Sequence, residues 1–198
     1  MAEEFTEQKK RLLEVAMELI SDHGYTGTSI RDIAQAHGTS ISNIYHYFGN
    51  KDGLLVAILE HLSLQLLESL RDVAAKYDDP LECLEQLIKI HLRLSVENVK
   101  GAKIFLLDAE HFSSEGNRIS REIQIQVLSI YVEQLRRLQD AGIIKDRNLK
   151  IMAFNILACI NWQMRWFRPE GPLTAEMAHR EILNFILYGV AGSASSDI

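Results

Sequence analysis

The chain has 198 residues, 47% of them apolar and 24% charged, with three prolines and a formal net charge of −6. This is length enough for a small domain joined to a larger one, and the composition excludes a disordered chain and a broad, nonspecific basic surface. A local nucleic-acid contact stays open, but it must be geometrically directed: residues 1–52 carry five Lys/Arg against eight Asp/Glu, and Gly27 to Lys51 carries Arg31 and Lys51 against Asp32.

Cys83 and Cys159 stand in apolar, helix-like surroundings without CxxC or metal-like spacing, and both read as buried thiols in a reducing compartment. The start "MAEEFTEQKKRLLEV" places acidic residues before any apolar run, and no uncharged span approaches the roughly 20 residues a bilayer needs. The expectation is a cytoplasmic protein without membrane association.

The first helix is predicted from residue 7 to about 22, with Leu12, Leu13, Ala16, Leu19 and Ile20 at helical spacing and "DHG" closing it at Gly24. Ser29 or Thr28 caps a second helix, and Asp32, three residues after Ser29, completes a capping box. That helix buries Ile30, Ile33 and Ala34 and stops at Gly38, where the tight turn calls for a backbone angle that side chains resist. Thr39 or Ser40 caps a third helix through Ile44 and Tyr47; Gly49 breaks it and Asn50 caps a fourth. The fourth runs over 51–76, and further helices are expected at 81–98, 101–112, 118–141, 147–168 and 174–190, ahead of a Gly/Ser-rich tail. The fold class is all-α: a three-helix domain over residues 1–52, then a larger helical domain over 53–198.

Two short helices joined by "HGTS" and backed by a preceding helix are a helix-turn-helix signature. In that motif the second helix offers its exposed residues to base edges in the major groove. Here it reads "SISNIYHYF". Ile44 and Phe48 point inward, leaving Ser42 and Asn43 for base edges, Tyr45 and Tyr47 for phosphates through their hydroxyls, and His46 for either. Arg31 can reach guanine or a phosphate with its rigid fork, and Lys51 reads as a phosphate clamp. Either tyrosine can instead complete the small core.

Residues 9–54 resemble the amino-terminal domain of the tetracycline-repressor (TetR) family of bacterial transcription regulators, through "LLEVAMELISDHGYTGTSIRDIAQAHGTS" and "IYHYFGNKDGLL". The resemblance implies that Arg31, Ser42, Asn43, Tyr45, His46, Tyr47 and Lys51 face double-stranded operator DNA, while the larger domain binds an inducer and dimerises. The sequence departs at Ile41, where relatives often carry lysine, which suggests modest nonspecific affinity.

A dimer is expected because two recognition helices must meet major grooves about 34 Å apart. Ala153, Ile156, Leu157 and Ile160, with Ile182, Phe185, Ile186 and Tyr188, form apolar stripes that can pair as a four-helix bundle, or else face their own core. In "NILACINWQMRWFRPEGPLT", Trp162 and Trp166 lie one turn apart beside Arg165, a group that can wall an acyl or aromatic pocket or pack a subunit interface. The phrase "NW…RWFRPEGPL" resembles a variant among repressors of lipid, steroid-fragment and aromatic-acid breakdown, which implies an acyl-coenzyme A thioester as effector. Arg93, Lys100, Lys103 and Arg165 are available for its phosphates.

His91 is a candidate polar group inside an effector cavity. Asp108 and His111 sit three apart near Glu110, but no second pair completes a metal shell, and neither metal nor cofactor is expected. The reading is a homodimeric repressor released from its operator by a small effector. Rivals are a helix-turn-helix activator or corepressor-dependent regulator, an enzyme using His91 or His111 as base, and a helical interaction module that no longer binds DNA.

Overall fold

The computed structural model describes residues 7–98, 100–101, 104, 112–168 and 170–191. Among them are eight helices: α1 (Glu7–Gly27), α2 (Ile30–His37), α3 (Ile41–Phe48), α4 (Lys51–Lys76), α5 (Pro80–Glu97), α6 (Ser114–Asp140), α7 (Leu149–Trp166) and α8 (Ala175–Ala191). The helix expected over 101–112 falls mostly outside the described residues, as do Lys103, Asp108, Glu110 and His111. Packing divides the chain into two compact units, Met1–Leu64 with Asn98–Glu122 and Gln65–Glu97 with Ile123–Ile198, so α4 and α6 each contribute to both.

Local chemistry sets the ends of the first three helices. Helical backbone is interrupted at Gly24, and the Thr28 hydroxyl ties off the segment by donating to the Leu19 and Gly24 carbonyls at 3.1 and 2.9 Å. Ser29 caps α2 in a complete box, its side chain accepting from the Asp32 amide while Asp32 accepts from the Ser29 amide at 2.8 Å. Gly38 then adopts φ +77°, and its amide donates back to the carbonyls of Ala34 and Gln35. Ser40 caps α3 by accepting from the Asn43 amide at 3.2 Å, and Asn50 accepts from the Gly53 amide at 2.8 Å in the first turn of α4.

Gly53 serves close approach rather than a turn. A β-carbon there would lie 2.0 Å from the Phe48 carbonyl oxygen, so the start of α4 packs on the end of α3 at a distance only glycine permits.

In the first unit Leu13 and Ala16 of α1, Ile33 of α2, Ile44 of α3 and Leu54 and Ile58 of α4 are all fully buried. Phe48, expected inside, is only half-buried at the last residue of its helix. By length and mean hydropathy, 1.4 over 18 residues, α4 could cross a bilayer. It carries Glu60 and Glu68, however, and buries Leu54, Leu55, Ile58, Leu59, Leu67 and Leu70 in protein, as a core helix does.

The second unit packs α5, α7 and α8 pairwise. Here the expected dimer stripe on α7 is corrected: Ala153, Ile156 and Ile160 are buried within their own unit, as is Ile186 of α8. The outward apolar side chains are Ile151, Phe154, Trp162 and Trp166 of α7 with Met177, Phe185 and Tyr188 of α8. Cys83 is buried as expected, but Cys159 is half-exposed, because it lies on the boundary between those faces. Helix α6 begins four residues before the predicted 118, since Ser113 caps it by accepting from the Gly116 amide at 3.1 Å and Gly116 continues the helix rather than breaking it.

No atom lies within 4 Å of a β-carbon built at Gly38, so substitution there meets only the backbone cost of the left-handed region. Gly38→Ala should destabilise by roughly 1–2 kcal/mol and Gly38→Asn by less, because asparagine tolerates that region. Urea unfolding should show the midpoints falling in that order with unchanged slope.

Candidate functional site

Helix α3 has eight residues and one fully buried side chain, Ile44. With 3.6 residues per turn, burying position 44 turns positions 42, 43 and 46 outward. Ser42, Asn43 and His46 are all exposed, Tyr45 is 50% exposed and Tyr47 is half-buried, packed edge-on to Phe48. Arg31 is exposed in the first turn of α2, beside an Asp32 carboxylate whose pKa is held below the usual range chiefly by the hydrogen bond from the Ser29 hydroxyl.

Two members of this set are already engaged. The Asn43 amide nitrogen donates to the Thr39 hydroxyl at 3.0 Å, which fixes the side-chain orientation and leaves its oxygen and second hydrogen to face outward. Lys51 donates from Nζ to the Tyr25 carbonyl and sits 4.1 Å from the centre of the Tyr25 ring, and partial burial lowers its pKa. It latches the start of α4 to the end of α1.

Sequence reasoning missed two participants. Thr39 was read only as an alternative cap, although its four-residue spacing from Asn43 is the signal that the two side chains meet. Lys9 lies 5.7 and 5.9 Å from the ring centres of Tyr47 and Phe48, a pairing between distant segments that no local pattern announces.

The second cluster separates. Trp162 and Trp166 line a solvent-open groove of about 370 Å³ between α7 and α8, with Cys159, Met177 and Phe185 among its other walls. Trp162 is 62% and Trp166 41% exposed, and the Arg165 guanidinium lies 5.9 Å from the Trp162 ring centre without lining the groove. His91 is elsewhere, buried on α5, with Nδ1 3.1 Å from the Tyr131 hydroxyl of α6. That hydroxyl donates to the Leu87 carbonyl at 3.3 Å, so the imidazole donates from Nδ1 to the hydroxyl oxygen. Burial pushes the His91 pKa down to about 4. Of the other cations considered, Arg93 pairs with Glu97 at 3.8 Å and Lys100 with Glu18 at 2.5 Å. No group of three or more potential metal ligands occurs among the described residues.

A reading helix with one buried residue and an exposed polar edge, held by caps on a three-helix support, is the architecture of a DNA-reading module. Residues 12–58 match the family described as bacterial regulatory proteins, tetR family, and residues 77–190 match the tetracyclin repressor-like C-terminal domain. The chain belongs to the TetR family. It is similar to the HTH-type transcriptional repressor KstR2 of Rhodococcus jostii, at 26% identity over 193 residues covering 93% of this chain and 91% of that one. Among solved structures it resembles the TetR-family regulator PfmR of Thermus thermophilus, at 30% identity and TM-score 0.83 over 89% of this chain and 97% of that chain. It also resembles AibR in complex with isovaleryl coenzyme A and operator DNA, at 25% identity and TM-score 0.81 over 93% and 98%.

Membership makes this TetR-family chain a ligand-responsive, DNA-binding transcription repressor of helix-turn-helix type that works as a homodimer, not an enzyme. The family, rather than any missing catalytic cluster, decides that last point.

His91 gives the fold a pH signature. Its folded pKa, about 4, lies below the unfolded value near 6.5, so between these limits the unfolded chain binds more protons and stability falls as pH falls. The loss should amount to roughly 3 kcal/mol on going from pH 7 to below pH 4. His179, also lowered by burial, acts in the same direction. Chemical denaturation at pH 4–7 should show this slope, and His91→Leu should flatten most of it.

Proposed function

We propose that residues 1–52 read the operator and residues 53–198 bind the effector and dimerise, and that the effector is an acyl-coenzyme A thioester whose binding releases DNA. The observation that carries the DNA half is the burial of Ile44 with Ser42, Asn43 and His46 exposed around it. Asn43, oriented by Thr39, pairs with adenine through its outward oxygen and second amide hydrogen. Arg31 grips guanine or a phosphate; Ser42 and His46 meet base edges; Tyr45 and Tyr47 reach phosphates. Lys51 contributes its charge near the backbone from its docked position on Tyr25.

The exposed rings of Trp162, Phe185 and Tyr188 favour the α7–α8 face as the subunit interface, with the Trp162–Trp166 groove inside it. Arg165, 5.9 Å from the Trp162 ring centre, suits the rim of that face or an anionic group of the effector. The thioester reading is supported by AibR, whose complex holds isovaleryl coenzyme A, and by the weaker likeness of the "RWFRPEGPL" segment. The cellular compartment that goes with this role is the cytoplasm. Release follows from linkage: an effector that binds the DNA-incompetent state better lowers operator affinity by the factor by which operator lowers effector affinity.

Arg31→Ala and Asn43→Ala should each cost about 1–3 kcal/mol of specific operator binding with dimer mass and helicity unchanged. The check is operator titration across a salt series, and unaltered affinity at every salt concentration removes these contacts from the reading. For the effector, a ladder of acyl-coenzyme A thioesters set against the corresponding free acids should release operator only in its thioester members. Failure of every thioester ends the coenzyme A assignment and leaves the repressor intact.

A further inference from the structure

Most buried polar side chains of the second unit have partners. His91 bonds to Tyr131, Ser95 donates to the His91 carbonyl at 2.8 Å, and Gln134 donates to the Pro80 carbonyl at 2.5 Å. Gln163 does not: it is 1% exposed, and neither its oxygen nor its nitrogen has a hydrogen-bond partner. It occupies the inward register of α7, following Ala153, Ile156 and Ile160, on a helix that packs against α5 and α8. An apolar residue of similar shape would serve that register better, because a buried amide without partners bears an uncompensated desolvation cost.

The surroundings limit what can satisfy it. Among the described residues of this unit no Lys, Arg, Asp or Glu is buried, so an ionised group brought to Gln163 would find no buried counter-charge. A carboxylate could accept from the amide nitrogen, but the amide oxygen would face it unpaired. A thioester or amide carbonyl accepts from that nitrogen without a net charge, and an amide N–H along the same arm donates to the oxygen.

We infer that Gln163 is a specificity-determining residue of the effector site, pairing with the uncharged carbonyl and amide groups of an acyl thioester arm and selecting against the free acid. This rests on the effector reading above, and it adds the residue and the charge state that reading lacks.

The test uses the full chain with Gln163→Met, close in shape, and Gln163→Leu as a second variant, with isovaleryl coenzyme A and free isovalerate as probes. Urea unfolding without probe should show a raised midpoint in Gln163→Met, because the orphaned amide is gone. Calorimetric titration should show affinity for the thioester lowered tenfold or more in both variants, with operator affinity unchanged and wild type preferring thioester to acid. A midpoint that falls in both variants means the amide has a structural partner such as a buried water, and overturns the inference. So does thioester affinity within twofold of wild type, or equal wild-type affinity for the acid. If wild type binds neither probe, the assignment of Gln163 to an acyl thioester arm is overturned, while the coenzyme A reading stands or falls with the full ladder of thioesters.

Discussion

The burial of Ile44 is the constraint on which the exposed polar edge of α3 depends. An eight-residue helix is too short to persist alone in water, since helix nucleation is costly and propagation over two turns does not recover it. Helix α3 therefore exists because Ile44 is buried without residual exposure, because Ser40 caps one end and because α4 closes on the other at Gly53. Those fixings also set rotation about the helix axis. Once Ile44 points inward, Ser42, Asn43 and His46 have nowhere to go but out, so the polar edge is a geometric by-product of core packing.

This explains why so much of the first unit was legible in the sequence. Ser29 with Asp32, Gly38, Ser40 and Asn50 act through neighbours three or four residues away, and their spacing announces them before any tertiary contact is known. The less legible features are those whose partners are remote. Lys51 reads as a free clamp in sequence, yet it is docked on Tyr25, 26 residues away. The close approach at Gly53 depends on the angle between two helices, which no single helix encodes.

The same division holds in the second unit. Apolar periodicity locates α7 and α8, but both helices are apolar on more than one face, and periodicity cannot tell which face turns inward. The structure turns Ala153, Ile156 and Ile160 inward and leaves Trp162, Phe185 and Tyr188 outside. Tryptophan and tyrosine carry a polar hydrogen that tolerates water, but Ile151, Phe154 and Phe185 lie outside without one, so residue type does not settle what spacing leaves open either. His91 was legible as an anomaly in a leucine-rich helix; its partner Tyr131, 40 positions away, was not.

An acidic chain that binds DNA must do so through few contacts, and this shapes how it can be switched. With a net charge of −6 and Arg31 and Lys51 the only Lys/Arg between Gly27 and Lys51, little affinity comes from a diffuse basic field. Specific binding then rests on a small set of directed bonds made twice, once by each protomer. A coupling free energy of about 1–3 kcal/mol between effector and operator is comparable with the loss of one such directed contact. Emptying the operator therefore calls for an effector that strongly prefers the DNA-incompetent state, since a nearly complete reversal of a two-state balance takes about 5.5 kcal/mol of differential affinity.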